Sequence, residues 1–113
     1  MKNFILRVIL TASQITGNAN GNCIFLRLAL LKEYVDGKIS DNIIGVKIDI
    51  VCPDNNYEQF TVKIKGKHSV LCEQLKEKEG HVISLPDLTG RFYRDNTGSY
   101  QLSCSATKVE VVS

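Results

Sequence analysis

Apolar and polar residues alternate with a period of two along most of the chain, which is the pattern of β-strands. The alternation recurs in five or six segments, separated by stretches rich in Gly, Asn, Asp and Pro that favour turns. The predicted strands cover residues 4–11, 23–34, 45–51, 59–65, a bent or interrupted strand at 81–85 and 90–94, and 100–106. The sequence therefore predicts a protein built mainly of β-strands.

Two of these segments predict an antiparallel hairpin over residues 45–66. Every second residue is apolar from Val46 to Ile50 and again from Phe60 to Ile64, and the Pro-Asp-Asn-Asn stretch between them predicts a tight turn. The hairpin should have one apolar face and one polar, basic face. By the same criterion Asp36-Gly37 and the polar residues 40–42 predict a loop before it.

One helix of about ten residues is predicted after this hairpin. Ser69 is a suitable N-cap, Leu71 and Leu75 share a stripe with Val70, and Gly80 follows the last turn. Residues 23–34 also contain Leu and Ala, which favour helices, but their alternation favours a strand.

The predicted order of elements is strands, a hairpin, one helix and a second hairpin. An all-β fold of five antiparallel strands with one short helix between the third and fourth is typical of an OB-fold barrel. Either residues 4–11 or residues 24–34 form its first strand, and we favour 24–34. Residues 1–22 would then be an added N-terminal strand and loop of one 113-residue domain.

Composition favours a soluble, cytoplasmic protein. Arg7 interrupts the apolar start, which argues against a signal peptide, and no apolar run is long enough to cross a bilayer. The four cysteines, Cys23, Cys52, Cys72 and Cys104, are spaced too irregularly for a zinc site. We expect scattered core thiols, although an even number leaves two disulfides open.

Catalytic patterns are not found in the sequence. It has no glycine-rich phosphate loop, no paired catalytic carboxylates and no nucleophile elbow around Ser103 or Ser105. His68 and His81 have no matched acid or nucleophile at a useful spacing. The expectation is a protein that is not an enzyme and needs neither cofactor nor metal.

The second half of the chain, residues 60–112, resembles single-stranded DNA-binding proteins of the OB-fold type found in bacteria, plasmids and phages. The shared features, in chain order, are Gly66-Lys67 at a strand end, Gly80 before a strand, Tyr93 before the turn RDNTG, and Ala-x-x-Val at 106–109. The resemblance implies binding of single-stranded DNA with little sequence preference, in replication or in plasmid or phage DNA transfer, with RNA left open. Family members often stack bases on Trp, which this sequence lacks, so Tyr and Phe would have to form the platform.

Such a binder needs cations for phosphates and aromatic faces for bases. The residues that alternation places on the outer side of the central hairpin are Tyr57, Thr61, Lys63 and Lys65. Tyr93 also matches a position at which the family that the chain resembles has a stacking aromatic residue. Phe60, Phe92 and Tyr100 fall in the core phase. The complete predicted nucleic-acid-binding set is Phe25, Arg27, Tyr57, Thr61, Lys63, Lys65, Arg91, Tyr93 and Arg94.

Each of these residues also has a simpler interpretation, such as a solubilising charge or a cross-strand pair. The net charge of only +2 favours an alternative function, an OB-like protein–protein interaction or structural module without nucleic-acid binding. A β-sandwich explains the single helix less well. The few cations also favour a homo-oligomer, with the apolar strand 4–11 as a dimer contact. The two functions can be distinguished by whether the outward residues form one continuous face, as nucleic-acid binding needs, or are interrupted by Asp49 and Glu58.

Overall fold

A computed structural model describes residues 9–112, and most of them lie in strands. The strands are β1 (Ile9–Leu10), β2 (Asn22–Val35), β3 (Lys38–Cys52), β4 (Glu58–Lys65), β5 (Val82–Ser84), β6 (Thr89–Arg94), β7 (Tyr100–Ala106) and β8 (Glu110–Val111). The helices are α1 (Ala12–Thr16) and α2 (His68–Leu75), and a short 3-10 turn covers Pro53–Asn55. The prediction of a mainly β protein is confirmed.

The described strands form one sheet in the order β1-β6-β7-β4-β3-β2-β5-β8. Neighbouring strands are antiparallel except β4 and β7, which run parallel with Val62 opposite Cys104. The prediction of five antiparallel strands is therefore wrong in strand number and in this one pairing. The number is larger because β1 and β8 are additional short strands at the two ends of the described chain. In addition, the interrupted strand at 82–94 forms two separate strands, β5 and β6, which pair with different neighbours.

The prediction of a single helix is also wrong, because α1 lies before β2. Its N-terminus is a capping box in which the backbone N–H of Gln14 donates to the Thr11 hydroxyl and the backbone N–H of Thr11 donates to the Gln14 side chain. Gly17, with φ of 75°, ends the helix in the left-handed conformation. The Thr-x-x-Gln signal was present in the sequence, but it starts at the last residue of the predicted strand 4–11 and continues into a segment for which only a loop was predicted.

The central predictions are confirmed. Residues 24–34 lie within strand β2, and β3 and β4 form the predicted hairpin, with Ile48 opposite Val62 and Ile50 opposite Phe60. The predicted loop at 40–42 is wrong: β3 begins at Lys38, and only Asp36-Gly37 turns the chain. Both residues have positive φ, 51° and 78°, which suits a tight hairpin turn and leaves the next residues free to pair.

Helix α2 occupies the predicted place but begins earlier than expected. Lys67 stands at the N-cap without a side-chain capping bond, so Ser69 lies inside the first turn. Leu71 and Leu75 are buried as predicted. The predicted break in the strand after residue 85 separates β5 from β6, and residues 107–109 separate β7 from β8.

The core fills the inward face of the sheet. Ile48, Ile50, Val62 and Ile64 are fully buried there, and Phe60 packs against them in a partly buried position. Cys23, Cys52 and Cys104 are buried free thiols, and burial raises the pKa of Cys104 to about 11. The prediction of core thiols is confirmed for these three cysteines, whereas Cys72 is only half-buried.

Two aromatic residues expected in the core lie outside it. Phe92 is 36% exposed and Tyr100 is 45% exposed. Both lie toward the tip of the β6–β7 hairpin, beyond the part of these strands in which Gly90 and Cys104 are paired and buried. The predicted added strand at residues 4–11 falls largely outside the described residues, and only its end is seen, where Ile9 pairs with Arg91. In the described part of the chain, no helix is long and apolar enough to span a membrane.

Candidate nucleic-acid interface

The outward sides of β3, β4, β7 and β6 carry a continuous set of polar side chains. One cross-strand row joins Lys47, Lys63, Ser105 and Thr89, since Lys47 pairs with Lys63, Lys63 with Ser105, and Ser105 with Thr89. In the neighbouring row Asp49 pairs with Thr61 on β4, and Arg91 pairs with Ser103 on β7. We call this surface the polar face: Lys47, Asp49, Thr61, Lys63, Lys65, Arg91, Ser103 and Ser105.

The two lysines predicted on β4 lie between two hollows. The first, which we call the Asp87 hollow, has a volume of about 400 Å³ and is lined by Lys63, Lys65, Asp87, Thr89, Ser105, Ala106 and Thr107. The second, the arm hollow, has a volume of about 410 Å³ and is lined by Leu30, Leu31, Lys32, Tyr34, Ile39, Ile44, Lys47, Lys63 and Lys65. Each ammonium group can therefore reach a ligand placed on either side of β4.

A long two-stranded arm forms one wall of the arm hollow. It consists of residues 32–43, the far ends of β2 and β3, and it extends past the end of β4 because Lys65 lies opposite Gly45. Tyr34 pairs with Ile39 on the arm, and the two residues are 67% and 61% exposed. Large apolar surfaces this exposed are typical of ligand or partner contacts.

A second projecting hairpin carries the other predicted residues. Arg91 and Tyr93 are exposed on β6, and Tyr93 lies opposite Gln101 of β7. Arg94 lies 5.7 Å from the ring centre of Tyr100, and its Nε donates to the carbonyl of Gly98 at 3.3 Å. Arg94 is thus engaged in shaping the hairpin, while Arg91 and Tyr93 face outward.

The acidic residue in the middle of the polar face has its charge partly compensated. Thr61 donates to Asp49 Oδ1 at 2.7 Å, and the Nε of Arg27 donates to Asp49 Oδ2 at 2.5 Å. These two hydrogen bonds, first from Thr61 and then from Arg27, lower the pKa of Asp49. Glu58 lies at the start of β4 opposite Cys52, so it does not interrupt the rows that contain the lysines.

The other carboxylate of the interface is a structural one. The backbone N–H of Thr107 donates to both carboxylate oxygens of Asp87, at 3.2 Å each. The Thr107 hydroxyl donates to one of the same oxygens, Oδ2. Burial works to raise the pKa of Asp87, but the bonds from Thr107 outweigh it and the pKa is lowered. Asp87 therefore holds the end of β7 against the turn before β6.

Phe25 does not belong to this surface. The prediction placed it outward together with Arg27, but Phe25 is only 1% exposed. A β-bulge between the two residues explains the difference, because Phe25 pairs with Ile50 and Arg27 pairs with the next residue of β3, Asp49. One extra residue at the bulge shifts the phase of the alternation, so Arg27 alone faces outward.

Tyr57 is exposed but lies at the far end of the interface. It follows the 3-10 turn with φ of 58° and is 70% exposed. Strand β4 separates it from Lys65 by a distance of roughly 25 Å at ~3.3 Å per residue. A strand of nucleic acid lying along β4 would have to be several nucleotides long to contact both.

Sequence reasoning missed part of this site. Lys47 alternates in phase with Asp49 and carried the same signal as Lys63. Tyr34 was the last residue of the predicted strand 23–34 but was not singled out, and Ile39 was obscured by the predicted loop. The Asp-Gly dipeptide at 36–37 was the available sign of an arm, since it favours two-residue hairpin turns. Asp87 and Thr107 were not singled out, because they meet just beyond the Thr89–Ser105 end of the β6–β7 ladder and that register cannot be read from either residue alone.

Within residues 9–112, no group of three or more His, Cys, Asp or Glu side chains is arranged to hold a metal ion. No protein-family model matches the chain, and no curated protein sequence matches it either.

Proposed function

We propose that this protein binds single-stranded DNA with little sequence preference, through phosphate contacts on the polar face and base stacking on its two projecting hairpins. The observation that carries the proposal is the position of Lys63 and Lys65 between two hollows. Two exposed aromatic residues lie on the projecting hairpins: Tyr34 lines the arm hollow with the lysines, and Tyr93 lies four residues along β6 from Thr89, which lines the Asp87 hollow. Cations with flanking aromatic platforms are the two requirements of single-strand binding.

The fold we propose is an OB-type barrel formed by β2, β3, β4, β6 and β7, with α2 following the third of these strands. The interrupted strand supports closure, because β5 pairs with β2 while β6 pairs with β7. Only residues 85–88 separate the two pieces, so one chain segment contacts both the first and the last strand of the set. In an OB-fold the surface around the second and third strands, with the loops beside it, binds oligonucleotides.

The path of the ligand follows from the charges. A backbone crossing β4 between the arm hollow and the Asp87 hollow passes Lys47, Lys63 and Lys65. Bases turned toward the arm meet Tyr34, and a strand that continues along the β6–β7 hairpin reaches Tyr93. The bases of a double helix are already stacked on one another and cannot stack on Tyr34 or Tyr93, so single strands should be preferred.

The test is fluorescence anisotropy of a labelled 30-nucleotide oligo-dT and of a matching duplex, each titrated at two salt concentrations. We expect saturable binding that prefers the single strand and weakens as salt rises. The double variant Lys63→Ala with Tyr93→Ala should lose most of the affinity.

A control variant keeps the test specific. Lys76→Ala removes an exposed lysine at the end of α2, away from both hollows, and should bind like the unmodified protein. Absence of binding at low salt and high protein concentration, or equal losses in the control and the double variant, would contradict the proposal.

A second candidate function, protein–protein interaction without nucleic acid, has an observation of its own. Leu30, Tyr34, Val35 and Ile39 are all more than 40% exposed and lie on or beside the arm. Such a patch also suits a protein partner or a second copy of this chain. Sedimentation of the protein alone and after Tyr34→Ser with Ile39→Ser would show whether the arm holds an oligomer together.

A non-enzymatic role in the cytoplasm, in replication or in plasmid or phage DNA transfer, is part of the same proposal and rests on the resemblance of residues 60–112. Single-stranded RNA has the same phosphates and base faces, so the comparison of oligo-dT with oligo-rU decides between the two nucleic acids.

A further inference from the structure

A third, smaller hollow opens on the polar face around its only acidic member. It has a volume of about 180 Å³ and is lined by Arg27, Asp49, Gln59, Phe60 and Thr61. We call it the Asp49 hollow. Because it borders the row that contains Lys63, a nucleic-acid strand held by the lysines would bring a base to it.

A carboxylate at this place needs an explanation, because it repels the phosphates that the lysines attract. The Asp49 side chain is 28% exposed, so its oxygens can be reached from solvent. In the described structure each oxygen accepts one hydrogen bond, from Thr61 or from Arg27. A carboxylate oxygen has two lone pairs, so each retains the capacity for one more donor.

Arg27 adds a donor next to these acceptors. Its guanidinium uses Nε for Asp49, its side chain is 72% exposed, and it carries four further N–H groups on the two Nη atoms. The ion pair therefore offers an array of two acceptor oxygens with further guanidinium donors beside them. Thr61 and Arg27 fix the carboxylate, so this array is already oriented before a ligand arrives.

Only one of the four DNA bases complements such an array. The Watson–Crick edge of guanine offers the N2 amine and N1–H as neighbouring donors, followed by the O6 acceptor. Thymine has a single donor between two acceptors, and cytosine and adenine have one exocyclic amine beside an acceptor nitrogen. Those three bases would place an acceptor against the carboxylate.

We propose that the Asp49 hollow is a guanine-reading site, in which Asp49 accepts hydrogen bonds from guanine N1–H and N2–H while an Nη group of Arg27 donates to O6. This inference rests on the proposed function, and it deepens it by giving an otherwise tolerant binder a preference for guanine at one position of the bound strand.

The test compares two oligonucleotides that differ by a single functional group per site. Both are 30-nucleotide thymine strands with a purine at every third position, guanine in one and inosine in the other. Inosine keeps N1–H and O6 but lacks the N2 amine, and the spacing contains no runs of guanine that would fold on themselves. Anisotropy should give the guanine strand at least about fivefold tighter binding than the inosine strand.

The variant Asp49→Asn should remove this difference, because an amide cannot accept both donors. It should raise oligo-dT affinity by about two- to threefold, since one negative charge leaves the face. The control Glu79→Gln removes an equal charge from an exposed residue that lines none of the three hollows, and it should keep the guanine preference. Circular dichroism checks that each variant is folded.

The outcomes separate this inference from the proposed function. Tight binding of oligo-dT with equal affinity for the guanine and inosine strands would overturn the guanine site alone. A guanine preference that survives Asp49→Asn would overturn its assignment to Asp49. Failure to bind any of the strands would overturn the proposed function, and this inference with it.

Discussion

Strand β4 has two faces that differ completely in their surroundings. On the inner face Val62 and Ile64 are fully buried in the core, while on the outer face Thr61, Lys63 and Lys65 are exposed. Alternation along eight residues separates them, so neighbours in the chain lie on opposite sides of the sheet.

The difference implies that folding and binding depend on separate residues of the same strand. Inner side chains stabilise by burial of apolar area and by close packing, which solution conditions at the polar face hardly change. Outer side chains contribute little to stability but determine what the face attracts. Substitutions on the two faces should therefore change different measurements.

The largest effect is expected from Ile64→Ala on the inner face. Removing a fully buried isoleucine side chain should lower the free energy of unfolding by about 2–5 kcal/mol, through lost burial and the cavity left behind. Urea unfolding measures it. The control Ile39→Ala removes the same groups from a residue that is 61% exposed and should change stability by less than about 0.5 kcal/mol. Similar losses in the two variants would contradict the division into faces.

A glycine on the neighbouring strand tests the packing of the backbone itself. A Cβ atom added at Gly45 would lie 2.0 Å from the carbonyl oxygen of Ile64, so Gly45→Ala must push β3 and β4 apart. We expect a loss of about 1–3 kcal/mol in urea unfolding. Lys47→Ala, two residues along the same strand on the polar face, should cost less than about 0.5 kcal/mol. A neutral Gly45→Ala would show that the strands separate here without cost.

On the outer face, Lys63→Ala combined with Lys65→Ala should weaken single-strand binding about tenfold, which equals about 1.4 kcal/mol. The slope of log affinity against log salt should become shallower by about 1.4, because each lost phosphate contact removes about 0.7. Stability should stay within about 0.5 kcal/mol. Lys76→Ala with Lys78→Ala is the matched control, and an equal change of slope in that pair would mean that only net charge matters.

The inner face could be predicted from the sequence far better than the outer one. Period-two alternation located Val46 to Ile50 and Phe60 to Ile64 correctly because burial demands apolar side chains at every second position. Alternation fails where the ladder is irregular: the bulge after Phe25 reversed the predicted side of that residue. It also fails where a strand extends beyond the core, as at Phe92 and Tyr100, which follow the core phase but are 36% and 45% exposed.

The outer face was only partly predictable for a different reason. A lysine on an exposed strand looks the same whether it solubilises the protein or binds a ligand, so Lys63 and Lys65 could be named but not placed relative to other groups. Their position between two hollows depends on the parallel pairing of β4 with β7, a long-range contact with no local sequence signal. The ion pair between Arg27 and Asp49 likewise needs the register of β2 against β3.

The smallest expected effect concerns Asp49, where the outer face does contribute to stability. Hydrogen bonds from Thr61 and Arg27 lower its pKa below 3.8 in the folded protein, so the ionised form is favoured by folding. This contribution is fully present above the ordinary pKa and is lost as pH falls through the lowered one. It should stay below about 1 kcal/mol because the pair is solvent-exposed.

Urea unfolding from pH 7 to pH 2 should therefore show Asp49→Asn less stable than the unmodified protein at neutral pH, with the difference in stability closing only below about pH 4. A gap that is constant over the whole range would mean that the ionised carboxylate is not what Thr61 and Arg27 stabilise.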